Sequence, residues 1–316
     1  MFNFYFLLLV SIIISIRFNS RFIIWLRLEI NMLRFLPIIS SGLNIELENS
    51  VKYFLIQRWA SIIFLISYFF CSYFINSIRI LLILSIFIKL GISPFHTWFI
   101  SILKTCSLYI LMLLSSLQKI IPLIILNNVF FFFRIFYFCI IITIIFLVII
   151  LSSVININKL LALSSLGNIL WLISSNLLSL KLMILFLTIY VFLLMGIYLF
   201  YNSFYYNLFI QINRINFFDK IIIVLLFISL GGMPPLLGFL RKFLILKIIF
   251  IYENLILFLI IIFSSLVLLY HYMSRIYFFI TFIPSLKTNF STNNYSITKY
   301  FYLISVIIFN GIFFIL

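Results

Sequence analysis

Cysteine is scarce and poorly placed for chemistry. Cys71, Cys106 and Cys139 are the three in 316 residues, each isolated, with no CxxC pair. Neither an iron–sulfur cluster nor a zinc site can be assembled from them, so they read as buried thiols. No GxGxxG follows a strand, no phosphate-binding loop occurs, and no haem or metal ligands cluster. The reading is a chain with no redox centre, cofactor site or metal site of its own. Charge is scarce too, at 8% of residues against about 25% in a soluble domain. Only five residues are acidic. Glu46, Glu48, Asp219 and Glu253 fall near loops or helix ends, where a solvated role suffices. Glu29 alone sits well inside an apolar run.

What abounds is apolar surface, 66% of the chain. Runs long enough to cross about 30 Å of hydrocarbon, roughly 20 residues each, recur along its length. That pattern predicts an all-α, polytopic membrane protein, a single transmembrane domain over 1–316. The net charge of +16 would suggest nucleic acid in a soluble protein. Here the basic residues are scattered singly through loops and helix ends, which suits membrane topology and anionic lipids such as cardiolipin. Nucleic acid is excluded as a partner. The amino terminus, MFNFYFLLLVSIIISI, has no basic n-region or A-x-A site and reads as neither a secretory signal nor a transit peptide.

Hydropathy predicts about eleven spans: Phe2–Ile16, Phe22–Ser41, Tyr53–Ile75, Ile78–Ile100, Leu108–Leu126, Phe130–Ser153, Leu160–Asn176, Leu180–Tyr201, Phe217–Ile249, Leu255–Met273 and Tyr300–Leu316. A polar loop through Asn44, Glu46, Glu48, Asn49 and Lys52 is expected before the third. One set of alternate loops carries Lys52, Lys104, Lys159, Arg214, Arg275, Lys287 and Lys299, and the other carries Arg17, Arg21, Arg79, Arg134 and Lys181. This favours an amino terminus on the positive side, matrix or cytoplasm.

The stretch SIFIKLGISPFHTW, Ser85 to Trp98, organises the chain. Lys89 lies deep in an apolar run, a break from Gly91 to Pro94 follows at once, and His96 comes next. Lipid can neither hydrate an ammonium nor satisfy freed backbone groups, so such features persist only where protein or water meets them. Leu90-Gly91-x-x-Pro94 matches Leu230-Gly231-x-x-Pro234, within a second break, GGMPP, spanning Gly231, Gly232, Pro234 and Pro235. Broken segments in the fourth member of each half point to two inverted five-helix repeats, about 1–127 and 128–275, with a last helix at about 299–316. A chance match of a short, permissive pattern is the competing reading.

Lys89 has Ser85 and Ser93 at helical spacing, and Lys119 has Ser115 and Ser116 one turn earlier with Gln118 beside it. Two lysines on hydroxyl-lined faces describe a hydrated seam, where a buried amine can lose and regain a proton near neutral pH. The alternative is a pair of lysines snorkelling to the headgroups. Glu29 has no partner on its own helix and must pair across helices or stay protonated, unless it is an interfacial residue beside Arg27. Lys242, with Arg241 beside it, is either a buried site or an interfacial anchor.

In order, WLRLEINMLRFLPII, IKLGISPFHTWF, LQKIIP, NKLLALSSLGNILW and LGGMPPLLGFLRKF resemble the hallmark segments of the mitochondrial NADH dehydrogenase subunit 2 family. These are antiporter-like membrane subunits of respiratory complex I. The resemblance implies an eleven-helix core, a half-channel in each repeat and a central polar axis in the mitochondrial inner membrane. It implies a proton relay in which Glu29 and Lys89 form a coupling pair, Lys119 is the central relay and Lys242 gates the second half. Ser85, His96, Ser115, Ser116, Lys159 and Asn168 give polar support. Other membrane-arm subunits, neighbouring antiporter-like ones among them, are the implied partners. FMN, iron–sulfur clusters, NADH and ubiquinone are implied on other subunits. Arg241 stands where the family usually has proline, Phe243 replaces Trp, Asn168 stands where many members carry histidine, and Arg27 replaces a common glycine. A cation/proton antiporter subunit of related fold and a non-pumping scaffold are the rival functions.

Overall fold

The computed structural model describes residues 21–40, 44–70, 75–129, 133–151, 156–202, 217–234, 236–251 and 255–281. Among them the chain is all-helical, with no strand element: α1 Arg21–Ile39, α2 Asn44–Phe70, α3 Ile75–Leu90, α4 Thr97–Thr105, α5 Leu108–Ser115, α6 Leu117–Val129, α7 Phe133–Leu151, α8 Ile157–Leu178, α9 Leu180–Asn202, α10 Phe217–Gly231, α11 Leu237–Ile251 and α12 Leu255–Thr281. The expected first and last spans and Pro235 lie outside the described residues. Ile- and Phe-rich segments are mediocre helix formers in water. In hydrocarbon, the helix wins because it satisfies every backbone group within one segment. Serines fit these helices by bonding their own preceding turn, as Ser67 Oγ does to Phe64 O at 2.7 Å and Ser264 Oγ to Ile261 O at 2.7 Å.

Four stretches, Leu108–Asn127, Ile157–Leu178, Leu180–Tyr201 and Leu257–Arg275, are long and apolar enough to cross a membrane. Outward faces carry Trp59, Phe69, Phe138, Ile149 and Leu259, a surface suited to an apolar solvent. The chain divides into two compact units, Met1–Thr143 and Ile144–Leu316. The division falls inside α7, later than the expected boundary at 127/128. In the first unit α2 packs on α1, α3 and α4, while α6 packs on α1, α3 and α5. In the second, α8 is buried nearly all round and touches α9, α11 and α12.

One expectation is corrected at α2. The polar stretch Asn44 to Lys52, predicted as a loop, is the first turns of the helix. Glu46 in the first turn complements the helix dipole. Glu48 pairs with Lys52 one turn on, and Asn49 Nδ2 donates to Thr105 Oγ1 at 2.9 Å. Polar residues at helical spacing were mistaken for a turn.

The two breaks are built alike. α3 ends with Gly91 N–H donating to Ile88 O at 3.2 Å and Ile92 N–H to Phe87 O at 3.1 Å. α10 ends with Gly232 N–H donating to Ser229 O at 3.1 Å and Met233 N–H to Ile228 O at 3.4 Å. This double closure demands a left-handed residue just past the helix, supplied by Gly91 at φ +70° and Gly232 at φ +82°. Gly232, not Gly231, is therefore the counterpart of Gly91. The sequence match is shifted by one.

A third interruption was not expected. The span through Lys119 is split at Ser116, between α5 and α6. Ser115 Oγ and Ser116 Oγ both donate to Met112 O, at 3.2 and 2.5 Å. Hydroxyls that bond the preceding turn compete with the backbone ladder and bend helices.

Candidate functional site

In the first unit, α3 ends beside α6, and this brings Lys89 and Lys119 to one polar cavity. It measures about 20 Å³, and both lysines line it together with Asn31, Tyr53, Gln57 and Gln118. Lys89 is 8% exposed and Lys119 2%, so neither snorkels. Freed carbonyls at the end of α3 are met by side chains: Trp98 Nε1 donates to Ile88 O at 3.2 Å, and Gln57 Nε2 to Lys89 O at 3.4 Å. Gly91 leaves room for Phe99, whose Cβ would lie 2.8 Å from a Cβ at position 91. The Phe99 ring in turn sits 4.7 Å from Lys119 Nζ. The helix break thus places an aromatic face on the central lysine.

The predicted hydroxyl seam is differently made. Ser85 Oγ donates to Leu82 O at 2.6 Å, and Ser115 and Ser116 likewise bond their own helix. Ser93 Oγ lies 3.1 Å from His96 Nδ1 within the break. The groups that line the cavity are amides. Asn31 Nδ2 donates to Gln118 Oε1 at 2.7 Å, and Tyr53 OH reaches the same oxygen at 3.4 Å.

Glu29 is buried and does pair across helices, but its partner is Arg58 of α2, with Arg58 Nη1 3.1 Å from Glu29 Oε2. The expected direct pair with Lys89 is corrected on this point: among the described residues Lys89 makes no ion pair. Arg58 is half-exposed at the outer face of the unit and stacks over Phe54 at 5.4 Å. A lone arginine within the third predicted span was the signal for it.

In the second unit, Lys242 and Arg241 are 3% and 0% exposed, which rules out an interfacial anchor. Both cations cap the end of α10. Lys242 Nζ donates to Gly231 O at 2.6 Å, and Arg241 Nη2 to Leu230 O at 3.4 Å. Cations at a helix C-terminus meet its unsatisfied carbonyls and its dipole. Arg241 also lies 4.5 Å over Phe186 and 5.3 Å over Tyr190, and Lys242 lies 5.5 Å over Trp171 of α8. Asn168, one turn before Trp171, is buried with its Oδ1 unbonded among the described residues. Lys159 is half-buried in the first turn of α8. Phe243 faces outward.

Each unit therefore carries a broken helix, donors ten or eleven residues on that cap the break, and buried lysines close to it. A family model described as NADH:quinone oxidoreductase/Mrp antiporter, TM, matches residues 19–269. NADH-ubiquinone oxidoreductase chain 2 of Rhipicephalus sanguineus is 36% identical over 294 residues, covering 90% of this chain and 91% of that one. Its counterpart in Anopheles gambiae is 29% identical over 318 residues, covering 95% and 93%. Respiratory complex I from Thermus thermophilus with bound aureothin contains a chain of the same fold, with a TM-score of 0.77 at 15% identity, covering 98% of this chain and 77% of that one. The chain belongs to the NADH-ubiquinone oxidoreductase chain 2 family, within the wider NADH:quinone oxidoreductase/Mrp antiporter membrane family.

Proposed function

We propose that this chain is a proton-translocating membrane subunit of NADH:ubiquinone oxidoreductase, working through buried lysines while electrons pass through other subunits. The observation that carries the reading is the placement of Lys89 and Lys119 on one small amide-lined cavity inside a single helical unit. An amine withdrawn from water exchanges its proton far more readily than one on a surface. Glu29, Lys89, Lys119 and Lys242 carry the protons and the coupling charge. Gly91, Pro94, Gly231, Gly232, Pro234 and Pro235 form the breaks that hold them. The full chain has eleven spans in two inverted repeats, with its amino terminus in the matrix of the mitochondrial inner membrane. Its partners are other membrane-arm subunits and anionic lipid. NADH, FMN, iron–sulfur clusters and ubiquinone act on those other subunits.

Coupling begins at Glu29. Held by Arg58, its carboxylate leaves Lys89 without an ion-pair partner, and Lys89 passes its proton to Lys119. Energy from quinone reduction swings Glu29 toward Lys89, which takes up and holds the next proton. Moving one charge against the membrane field costs about 2.3 kcal/mol per 100 mV, and opening an ion pair in a low-dielectric site is worth several kcal/mol. Arg58→Gln removes the resting partner, so Glu29 stays on Lys89 and proton-coupled NADH oxidation falls several-fold. In a Glu29→Gln background the same substitution has little further effect, because the two act through one pair. Additive effects in that double-substitution cycle contradict the Glu29–Arg58 switch.

The functional assignment is tested by purification. The chain is expected to co-purify, through mild detergent and native electrophoresis, with flavin- and iron–sulfur-containing subunits that oxidise NADH. Isolation in a complex without flavin or iron, active in cation/proton exchange, would support the antiporter reading instead.

A further inference from the structure

The amides that line the first-unit cavity have an unusual hydrogen-bond balance. Gln118 Oε1 accepts twice, from Asn31 Nδ2 at 2.7 Å and from Tyr53 OH at 3.4 Å. Each amide thus spends one end on the other. This leaves one donor, Gln118 Nε2, and one acceptor, Asn31 Oδ1, both buried and both without a hydrogen-bond partner among the described residues. A buried amide group left unmatched costs about 1–3 kcal/mol, so a fold rarely keeps two on one small cavity without a use. The cavity of about 20 Å³ that these residues line also holds Lys89 and Lys119 at its walls. One water needs roughly 10–15 Å³ and two to four polar partners. The volume meets the first requirement, and the residues that line the cavity carry polar groups enough for the second.

We infer that Asn31 and Gln118 are positioning residues that bind a single ordered water between Lys89 and Lys119 and hold it oriented for proton hand-over. The water oxygen accepts from Gln118 Nε2–H, and one of its hydrogens is donated to Asn31 Oδ1. Its second lone pair and second hydrogen remain for the two lysines. The Lys89 ammonium gives a proton to the water oxygen as the water gives a proton to the neutral amine of Lys119. One ammonium, one water and one amine stand on each side of the step, so charge and atoms balance. The hydrogen bond from Asn31 to Gln118 also ties α1, which carries Glu29 two residues before Asn31, to α6, which carries Lys119.

This inference rests on the proton-relay reading, and the experiment separates the two. Assembled complexes carrying Asn31→Leu, Gln118→Met or Lys119→Met are placed in sealed vesicles. NADH oxidation, proton uptake and the rate ratio in H₂O and D₂O are measured together. Leucine and methionine keep the volume of the amides they replace and remove the water's partners. Either amide variant is expected to slow coupled turnover roughly tenfold, about 1.4 kcal/mol of barrier. The solvent isotope effect should rise, because proton hand-over becomes limiting. A purely structural lesion lowers the amount of assembled complex and leaves the isotope effect per complex unchanged. Asn31→Gln, which keeps both a donor for Gln118 and an acceptor for the water, is expected to recover part of the lost rate. If Lys119→Met stops pumping while Asn31→Leu and Gln118→Met turn over normally with an unchanged isotope effect, the water site is overturned and the relay stands. If Lys119→Met itself pumps normally, both fall.

Discussion

Complexes carrying Lys119→Met are expected to assemble and to lose proton pumping, with coupled NADH oxidation down on the order of a hundredfold. Methionine matches lysine in length and fills the same space, and volume-conserving core changes usually cost under about 1.5 kcal/mol. Lys119 is 2% exposed and its ammonium rests against the Phe99 ring, so the apolar part of its surroundings accepts a thioether readily. What disappears is the amine. A positioned proton donor or acceptor is worth about 10²–10⁴-fold in rate, and among the described residues Lys89 and Lys119 are the two lysines on the cavity. Oxidation of NADH coupled to membrane-potential formation in vesicles reads both halves of the expectation. Electron transfer that slows because pumping is blocked, or that continues while the potential collapses, both place the lysine on the proton path. Full pumping by an assembled complex leaves the chain as a scaffold.

Gly232→Ala should be nearly as damaging, although it removes no titratable group. Gly232 has φ +82°, where a side chain costs about 1–3 kcal/mol. The larger effect is positional. A Cβ at 232 would lie 2.9 Å from Lys242 Cδ and 3.0 Å from its Nζ, so the lysine must leave its seat on Gly231 O. Proton delivery through the second unit should fall at least tenfold, with a modest loss of assembled complex. Gly231→Ala is the control. A Cβ there meets Tyr272 Cδ2 at 3.2 Å and lies away from Lys242, so it should lower assembly more than it lowers turnover per complex. If the two alanines behave alike, the backbone at 232 does not position Lys242.

The sequence made the helices easy to place, because hydrocarbon leaves a spanning chain few alternatives. Lys89, Lys119 and the two Gly/Pro breaks were equally visible, since each defies its apolar surroundings. What could not be read was the partner of each exception. Glu29 had to pair across helices, but only packing could decide between Lys89 and Arg58, and the arginine had been passed over as one more scattered charge. Serines at helical spacing from a lysine suggested a wet seam. Their hydroxyls turn back to their own helix, as Ser85 does to Leu82, and amides from α1, α2 and α6 supply the polarity instead. Those amides come from positions far apart in sequence, so spacing along one helix carries no trace of them. The one-residue shift between the breaks, Gly91 against Gly232 and not Gly231, was likewise hidden, because two adjacent glycines read the same until one of them adopts a positive φ.

In the proposed relay a proton passes through the Lys119 amine, as distinct from a fixed positive charge acting at that place. Lys119→Arg separates the two, since a guanidinium keeps the charge and cannot release its proton in a protein. The measurement is the number of protons delivered per NADH oxidised in vesicles holding that complex, beside the unsubstituted one. The ratio is expected to fall as far as in Lys119→Met. An assembled arginine complex that pumps at the full ratio would contradict it, and would make Lys119 a structural charge.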